Sequence, residues 1–322
     1  MAVRSLEAER TVSRETRERR LRQLTGVGNT PLLELEPPGL PEGVRVFGKY
    51  EGANPGGSIK DRVALEMILS AMADPRWHRG MTLLEASSGN TALSVARIAS
   101  LAGLRARLYV PESAGSYRIA LMRMFEAELV LTPASEGTEG AQRRAREEAL
   151  SDPEGTWFLE QHSNPANPLT HVGSTGPEIL AQLGGRTVGA VVAGLGTGGT
   201  LLGVSEHLRA SSPCLIAVPV VPAPGSTIPG LRPPDPASAP LHWMLEGLHD
   251  PVEVSLEEAM DYARYLETAE GILAGPSSGA ALAAVVRIAP EGGSNTAIVA
   301  ILPDHARNYG DTSLISRRAP RG

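Results

Sequence analysis

The chain of 322 residues contains almost no lysine. Lys49 and Lys60 are the two lysines among 30 basic residues, and the remainder are arginine. Arginine stays protonated in proteins, whereas a desolvated lysine amine can act as a base or condense with a carbonyl group. Each remaining lysine therefore either persists by chance or marks a position whose chemistry requires an amine.

Cysteine is scarcer still, because Cys214 is the only one in the chain. A single cysteine excludes an internal disulfide and any metal site built from several cysteines. Cys214 stands in the apolar run CLIAVPVV, which predicts a buried thiol without a catalytic role.

Long apolar runs and an excess of positive charge are also missing. No uninterrupted apolar run approaches the roughly 20 residues of a membrane span, and the N-terminus is charged where a signal peptide is apolar. The net charge of −6 argues against a nucleic-acid partner, which normally leaves a basic surface. We expect a cytoplasmic protein that binds neither membranes nor nucleic acids.

The sequence does contain a regular alternation of short apolar runs with helical patterns. The runs VRVFGKYE, MTLLEAS, RARLYVP and ELVLTP are separated by stretches such as DRVALEMILSAMAD and TALSVARIASLAG. This order predicts an α/β fold with open, twisted, mostly parallel sheets that carry helices on both faces. The chain length favours two such domains, and a loop-rich stretch around 151–175 interrupts the alternation between them.

The interruption separates two predicted α/β domains. A smaller α/β domain carries Lys60, and a larger one carries the second glycine-rich half of the alternation and includes a proline-rich loop at 222–240. The predicted segments are a charged helical arm at 1–24, the smaller domain at 48–160, the larger domain at 25–47 plus 161–315, and a tail at 316–322.

A glycine-rich turn, GLGTGGT, joins the apolar strand VVA to a helical pattern. Gly194, Gly196 and Gly199 fit the G-x-G-x-x-G spacing of dinucleotide sites, but the next strand, CLIAVPVV, has no acidic residue to hold a ribose. The backbone amides of 196–199 and the hydroxyl of Thr200 suit a phosphate group, because glycine allows close approach. A phosphate site is therefore favoured over NAD, and a plain tight turn is the structural alternative.

Two further turns are rich in serine and threonine. SSGNT follows the strand MTLLEAS and offers amides and hydroxyls at a helix start, which suits a carboxylate or simply caps the helix. GPSSG repeats the theme at Ser277 and Ser278. In a parallel α/β fold such turns line the carboxyl edge of the sheet, where ligands bind.

Lys60 belongs to a fourth turn, NPGGSIKDR, which leads into an amphipathic helix. The positive end of a helix dipole disfavours an ammonium ion and so encourages the neutral, nucleophilic amine. An amine at a helix start together with a phosphate site indicates a cofactor that carries both an aldehyde and a phosphate. Pyridoxal phosphate fits that description.

Taken together, the motifs resemble those of the cysteine synthase family, the pyridoxal-phosphate enzymes of fold type II that include the tryptophan synthase β-like proteins. The matching stretches, in order, are GNTPLLEL, NPGGSIKDR, SSGNTA, QHSNPANP, TGPEI, GTGGT, EGILAGPSSGAA and ILPDHARNYG, within residues 26–312. The resemblance implies a homodimeric enzyme with pyridoxal phosphate in a cleft between two α/β domains. It also implies β-replacement on O-acetylserine or O-phosphoserine by sulfide, through an α-aminoacrylate, to give L-cysteine.

The resemblance also assigns residues. It implies that Lys60 forms the Schiff base and transfers protons, that Asn90 contacts the ring oxygen and that Ser277 faces the pyridine nitrogen. A hydroxyl there keeps the nitrogen unprotonated, which favours loss of a β-substituent over transamination. The implied phosphate-binding residues are Gly196, Thr197, Gly198, Gly199 and Thr200. The implied substrate-carboxylate residues are Ser87, Ser88, Gly89, Asn90, Thr91 and Gln161.

Several positions depart from the family pattern near the elements that select the substrate. Ser87 replaces a threonine, Ala92 replaces a glycine, and AGSYRIA and VVP stand where the family has S-x-E-R-R and V-E-P. The identity of the activated serine therefore stays open. Arg232 in IPGLR is either a surface arginine or a partner for an anionic leaving group such as the phosphate of O-phosphoserine.

Other functions fit the same motifs. A serine or threonine dehydratase shares the fold and the lysine, and a cystathionine β-synthase-like enzyme shares the replacement chemistry with another nucleophile. The asparagine-containing stretches SSGNT and QHSNPAN favour the synthase. A non-catalytic, cofactor-binding regulatory protein would not need Lys60, so its presence counts against that function.

Overall fold

The computed structural model describes residues 14–233, 248–289 and 297–310. The strands are β1 (Leu32–Leu35), β2 (Arg45–Tyr50), β3 (Thr82–Ala86), β4 (Arg105–Pro111), β5 (Glu128–Thr132), β6 (Thr156–Phe158), β7 (Val188–Gly194), β8 (Ile216–Pro222), β9 (Val252–Val254) and β10 (Ala297–Leu302). The α-helices are α1 (Arg14–Thr25), α2 (Lys60–Ala73), α3 (Asn90–Ala102), α4 (Ser116–Met124), α5 (Gly137–Ser151), α6 (Ala166–Thr170), α7 (Gly176–Leu183), α8 (Gly199–Arg209), α9 (Leu256–Thr268) and α10 (Pro276–Ile288).

The strands form two sheets. One sheet has six strands in the order β1-β2-β10-β7-β8-β9, and the other has four in the order β5-β4-β3-β6. All neighbouring pairs are parallel except β1 with β2. The prediction of mostly parallel sheets in an α/β fold is confirmed.

The sequence of the central strands explains why they are central. All side chains of β10, AIVAIL, and of β3, TLLEA, are buried, since helices cover both faces of each sheet. Four hydrophobic clusters result among the described residues, two against the four-stranded sheet and two on opposite faces of the six-stranded sheet. The four-stranded sheet uses residues within 82–158, and β2 of the six-stranded sheet runs across residue 48. The division into domains stays a prediction.

The loop-rich stretch around 151–175 contains more regular structure than predicted. It holds β6, α6 and a turn of π-helix at His171–Thr175, which continues directly into α7. Proline and asparagine dominate the sequence there and suggest loops. Hydrogen bonding of β6 to β3, a partner distant in the chain, makes Thr156–Phe158 a strand nevertheless.

The prediction that Cys214 is buried is wrong, because its thiol is exposed. Strand β8 begins two residues later, at Ile216, and Cys214 lies in the turn before it. The apolar run CLIAVPVV therefore contains the strand but extends beyond the part that the core covers.

The N-terminal arm is helical over the part that can be described. Helix α1 buries Leu21 in the core of the four-stranded sheet, and Arg22 pairs with Glu66 at 2.8 Å. Residues 1–13, residues 234–240 of the proline-rich loop and the predicted tail lie outside the described residues. Within the described ranges, no helix is long and apolar enough to cross a bilayer.

Candidate active site

A cleft of about 400 Å³ lies at the carboxyl ends of β3, β7 and β10. Four helices begin at or beside it, with Lys60, Asn90, Gly199 and Pro276 as their first residues. The first N–H groups of a helix have no partner within it, and they carry the positive end of the dipole. The cleft is therefore built to receive negatively charged groups.

Lys60 is the first residue of α2, as predicted, and its side chain lines the cleft. Burial lowers the pKa of the Lys60 amine, while the negative charge of Asp304 acts in the opposite direction. The backbone N–H of Lys60 is held by the Ser58 hydroxyl at 3.1 Å. A lysine with a lowered pKa in a cleft is equipped for nucleophilic attack and proton transfer.

The predicted phosphate loop, residues 196–200, lines the same cleft. Gly198 adopts a left-handed conformation with φ of 84°, and a Cβ atom on Gly199 would lie 2.2 Å from Oδ1 of Asn167. Asn167 in turn donates to the Thr197 hydroxyl at 2.9 Å. The glycines are therefore required by the fold of the loop, and the loop ends at the N-terminus of α8.

His171, which sequence reasoning did not single out, lies behind this loop. Its Nε2 is 3.3 Å from the Thr200 hydroxyl, and its Nδ1 is 2.9 Å from the Thr175 hydroxyl. Burial, reinforced by the positive charges of Arg62 and Lys60, lowers the pKa of His171 well below its usual value. The imidazole is consequently neutral and orients the hydroxyl that closes the phosphate loop.

The residues predicted to bind the substrate carboxylate also come together. The Ser87 hydroxyl accepts a hydrogen bond from the N–H of Gly89 at 3.2 Å. The Thr91 hydroxyl donates to Oε1 of Gln161 at 2.6 Å, which joins the serine-rich turn to a residue 70 positions later. Ser88, Gly89 and Gln161 all line the cleft.

Asn90 and Ser277 both line the cleft beside an acid, Asp304, that the sequence did not point out. Nδ2 of Asn90 donates to Asp304 at 2.8 Å, and the Ser277 hydroxyl lies 3.5 Å from the same carboxylate. Tyr309 also donates its hydroxyl to Asp304. Asp304 and Tyr309 both lie in the motif ILPDHARNYG, which begins at the end of β10. The sequence marked this motif as a whole but gave no role to either residue.

Two arginines, Arg118 and Arg232, line the cleft. Burial lowers the pKa of Arg232, while the charge of Glu139 acts in the opposite direction. No acidic side chain within the described ranges lies at ion-pair distance from Arg232. Arg118 donates to the carbonyl oxygen of Asn308 at 3.0 Å and lies over the ring of Tyr309. Arg232 is thus a guanidinium without a carboxylate at ion-pair distance in the described structure, whereas Arg118 is occupied by protein groups.

A network of buried charges lies beneath Lys60. Arg62, two residues further along α2, donates to Glu51 at 2.7 Å and to Glu178 at 2.7 Å. Lys49, for which the sequence suggested no role, donates to Glu178 at 2.8 Å and to the carbonyl oxygen of Thr30 at 2.6 Å. The network joins α2 to β2 and α7, so it fixes the helix that presents Lys60.

Glu85 is a further buried acid, one residue before the end of β3. Its Oε1 accepts the N–H of Ala86 at 3.1 Å, and Gln161 also donates a backbone hydrogen bond to its carboxyl group. Oε2 has no hydrogen-bond partner among the described residues. Burial raises the pKa of Glu85 to about 8, so the folded protein keeps this side chain protonated at neutral pH.

We expect Glu85→Gln to stabilise the protein at pH 8 by on the order of 2–4 kcal/mol, with little effect near pH 4.5. Between its ordinary pKa of 4.5 and the folded value of about 8, the folded state holds a proton that the unfolded state releases. Stability therefore falls as pH rises through this window, and glutamine removes that dependence. Urea unfolding at pH 5 and pH 8 measures the difference.

The exposed Glu154 provides the matched control for this substitution. Glu154→Gln should leave the free energy of unfolding within about 0.5 kcal/mol of the wild type at both pH values. Equal effects of Glu85→Gln at pH 5 and pH 8 would contradict the assignment of a protonated Glu85.

These features fit pyridoxal phosphate. The amine of Lys60 can bond its aldehyde. The backbone N–H groups of the glycine loop at the start of α8 can hold its phosphate. Gly199 leaves this backbone uncovered, since a side chain there would collide with Asn167. Asn90 supplies a donor for the ring oxygen, and Ser277 supplies a hydroxyl beside Asp304. The cleft is lined by residues from all of these segments.

Comparisons with known proteins agree with this fit. Residues 23–304 match the family described as pyridoxal-phosphate dependent enzyme. Cysteine synthase B of Escherichia coli is 39% identical over 288 residues, which cover 89% of this chain and 94% of that protein. Cysteine synthase of Staphylococcus aureus is 37% identical over 297 residues, which cover 90% of this chain and 95% of that protein.

A solved structure gives the same result. The crystal structure of cysteine synthase from Entamoeba histolytica superposes with a TM-score of 0.82 at 30% identity, covering 91% of this chain and 90% of that one. Sequence and fold therefore agree over most of the chain, and pyridoxal phosphate is the cofactor. The chain belongs to the cysteine synthase family of pyridoxal-phosphate dependent enzymes.

Proposed function

We propose that this protein replaces the β-substituent of an O-activated L-serine with sulfide, which gives L-cysteine. The observation that carries the proposal is that one cleft holds an amine with a lowered pKa, the glycine loop that precedes α8 and the serine-rich turn that precedes α3. O-acetylserine is the first choice of donor, since cysteine synthases are the relatives that this chain resembles over most of its length. The reaction then releases acetate.

Each group has a proposed role. Lys60 holds the cofactor covalently and, once released by the substrate, moves the proton of the α-carbon. The loop of 196–200 holds the phosphate, and Ser277 faces the pyridine nitrogen. Bound there, pyridoxal phosphate supplies the electron sink that stabilises negative charge at the α-carbon.

The substrate itself is held by the serine-rich turn. Ser87, Ser88, Gly89, Thr91 and Gln161 bind the carboxylate, which fixes the amino acid with its α-carbon toward Lys60. Their support is the hydrogen bond between Thr91 and Gln161 and the start of α3 at Asn90, whose free N–H groups attract an anion.

The proposal also covers the enzyme class, the oligomeric state and the location in the cell. We infer a transferase that acts as a homodimer in the cytoplasm, on a small amino-acid substrate and a sulfur nucleophile. The dimer rests on the family resemblance, and the cytoplasm on the single cysteine, which suits a reducing compartment.

An assay with separate donors tests the proposed reaction. The purified protein, loaded with pyridoxal phosphate, is given O-acetylserine, O-phosphoserine or L-serine together with sulfide, and L-cysteine is measured. Cysteine from an activated serine is the expected product. Pyruvate without cysteine would instead support a dehydratase, and activity only with a thiol amino acid such as L-homocysteine would support a cystathionine β-synthase-like enzyme.

In the same assay, Arg232→Gln reports on the leaving group. Arg232 lines the cleft and has no ion-pair partner among the described residues, so it is available to bind an anionic leaving group. We expect kcat/KM for O-phosphoserine to fall by about 10-fold to 100-fold, because a hydrogen bond to a charged group is lost. The value for O-acetylserine should fall by less than about fivefold.

Equal losses for both donors would contradict this role of Arg232. The control is Arg186→Gln, because Arg186 is not among the residues that line the cleft.

A further inference from the structure

Asp304 is the one acidic side chain among the described residues that line the cleft. It follows β10 at the carboxyl edge of the six-stranded sheet, and it is 2% exposed. Burial raises the pKa of its carboxyl group, while hydrogen bonds from Tyr309 and Asn90 act in the opposite direction. A buried acid inside a cleft built for anions requires a specific reason.

The backbone around Asp304 is tied to two segments that carry site residues. The carbonyl oxygen of Asp304 accepts the N–H of Gly275, at the turn before Ser277, at 3.1 Å. Asp304 also forms an antiparallel bridge with Ser58, two residues before Lys60. The carboxylate is therefore placed by the same hydrogen bonds that place Lys60 and Ser277.

The side chain of Asp304 determines how the Asn90 amide is turned. A carboxylate only accepts hydrogen bonds, so the group 2.8 Å from it must be the NH₂ group of Asn90. On the other side, Nδ2 of Asn308 donates to the carbonyl oxygen of Gly57 at 3.2 Å and to Oδ1 of Asn90 at 3.1 Å. Both ends of the Asn90 amide are thus fixed, and one N–H remains for a ligand.

We propose that Asp304 is a positioning residue that holds the Asn90 amide with its NH₂ group toward the ring oxygen of pyridoxal phosphate. This inference rests on the proposed function, in which Asn90 contacts that oxygen. The second N–H of Asn90 then donates to the negatively charged ring oxygen. If Asp304 did not hold it, the amide could turn over and present its own oxygen, which would repel the ring oxygen.

Two substitutions of Asp304 separate positioning from charge. Asp304→Ala removes the acceptor, whereas Asp304→Asn keeps one acceptor oxygen and removes the charge. We expect Asp304→Ala to weaken retention of pyridoxal phosphate by about 10-fold to 100-fold and to shift the pH at which the absorption spectrum of the bound cofactor titrates. We expect Asp304→Asn to keep the affinity for the cofactor within about threefold of the wild type, because it keeps the acceptor, and a shift of its spectral titration reports the lost charge alone.

A double-substitution cycle tests whether Asp304 acts through Asn90. If it does, Asp304→Ala adds no further loss of cofactor affinity to Asn90→Ala.

Asp261→Ala is the surface control, because Asp261 is exposed, and it should change neither cofactor affinity nor spectrum. Thermal unfolding of each cofactor-free variant identifies effects on the fold alone. If Asp304→Ala does not fold, Asp304→Leu fills a similar volume without an acceptor and takes its place.

Three results would overturn the proposal. These are wild-type affinity and spectrum in Asp304→Ala, equal losses in the alanine and asparagine variants, and fully additive losses in the cycle. Failure of the proposed function is a different outcome: the wild-type protein would bind the cofactor and form no L-cysteine, while the spectra of the variants would still report on Asp304.

Discussion

Lys60→Arg should abolish formation of L-cysteine while the protein stays folded. A guanidinium cannot form the covalent bond to an aldehyde that an amine forms, and it stays protonated, so it cannot accept the α-proton. Loss of proton transfer alone is expected to reduce kcat by about 10²-fold to 10⁴-fold. Within the described residues, Nζ of Lys60 has no hydrogen-bond partner, so the substitution breaks no bond that holds the fold.

Borohydride reduction measures this directly, because it fixes the cofactor on the lysine that carries it. The wild-type protein should keep the cofactor after reduction and dialysis, and Lys60→Arg should lose it. Lys49→Arg is the matched control, since Lys49 and Lys60 are the only lysines and Lys49 is bonded within the buried network. Retention of reduced cofactor by Lys60→Arg would disprove the assignment.

Arg62→Met should destabilise the protein by about 3–5 kcal/mol at pH 7, the cost of leaving buried charges without their partner. Glu51 is fully buried, and Arg62 donates to both of its carboxylate oxygens at 2.7 and 2.9 Å. Methionine keeps much of the volume of arginine without its charge. Because Arg62 joins α2 to Glu178 on α7, its loss should also loosen the helix that presents Lys60.

The pH dependence of this loss follows from Glu178. Burial raises its pKa, but hydrogen bonds and charge from Arg62 and a hydrogen bond from Lys49 outweigh burial and lower the pKa of Glu178 to about 2. An acid whose pKa is lowered on folding stabilises the protein above its ordinary value of 4.5, and that contribution disappears as pH falls toward 2. The difference between wild type and Arg62→Met should therefore be largest near pH 7 and smaller at pH 3.

Urea unfolding at pH 7 and pH 3 measures the effect. The control is Arg76→Met, because Arg76 is 77% exposed in its ion pair with Asp74 and should cost less than about 1 kcal/mol. A loss below 1 kcal/mol for Arg62→Met at pH 7 would contradict a stabilising role for the network.

Much of the fold was predictable because its signals are local. Glycine-rich turns and apolar runs repeat over short distances, and each predicted helix or strand needs only its own residues to be recognised. The start of α2 at Lys60 and of α8 at Gly199 follows from the turns that precede them. The exposed Cys214 shows the limit of this reasoning, since apolar neighbours do not define where the core ends.

The same limit applies to the polar residues around the cleft. Lys49 and Glu178 are 129 positions apart, and Asn90 and Asp304 are 214 apart. Sequence reasoning marked Lys49 as rare and left it without a role, and it placed Asp304 in a matching motif without assigning it. Neither partner can be identified until the chain is folded.

By itself, the sequence determined the α/β class and the helix-start turns, and it predicted which amine bonds the cofactor. These follow from residue chemistry and from periodicity within a few turns of chain. The tertiary structure alone decided which polar groups meet: Asp304 with Asn90, His171 with Thr200, and Arg62 with both Glu51 and Glu178. The physical reason is that burial makes an unpaired polar group costly, so the fold brings most buried polar groups to a partner, wherever in the chain that partner lies.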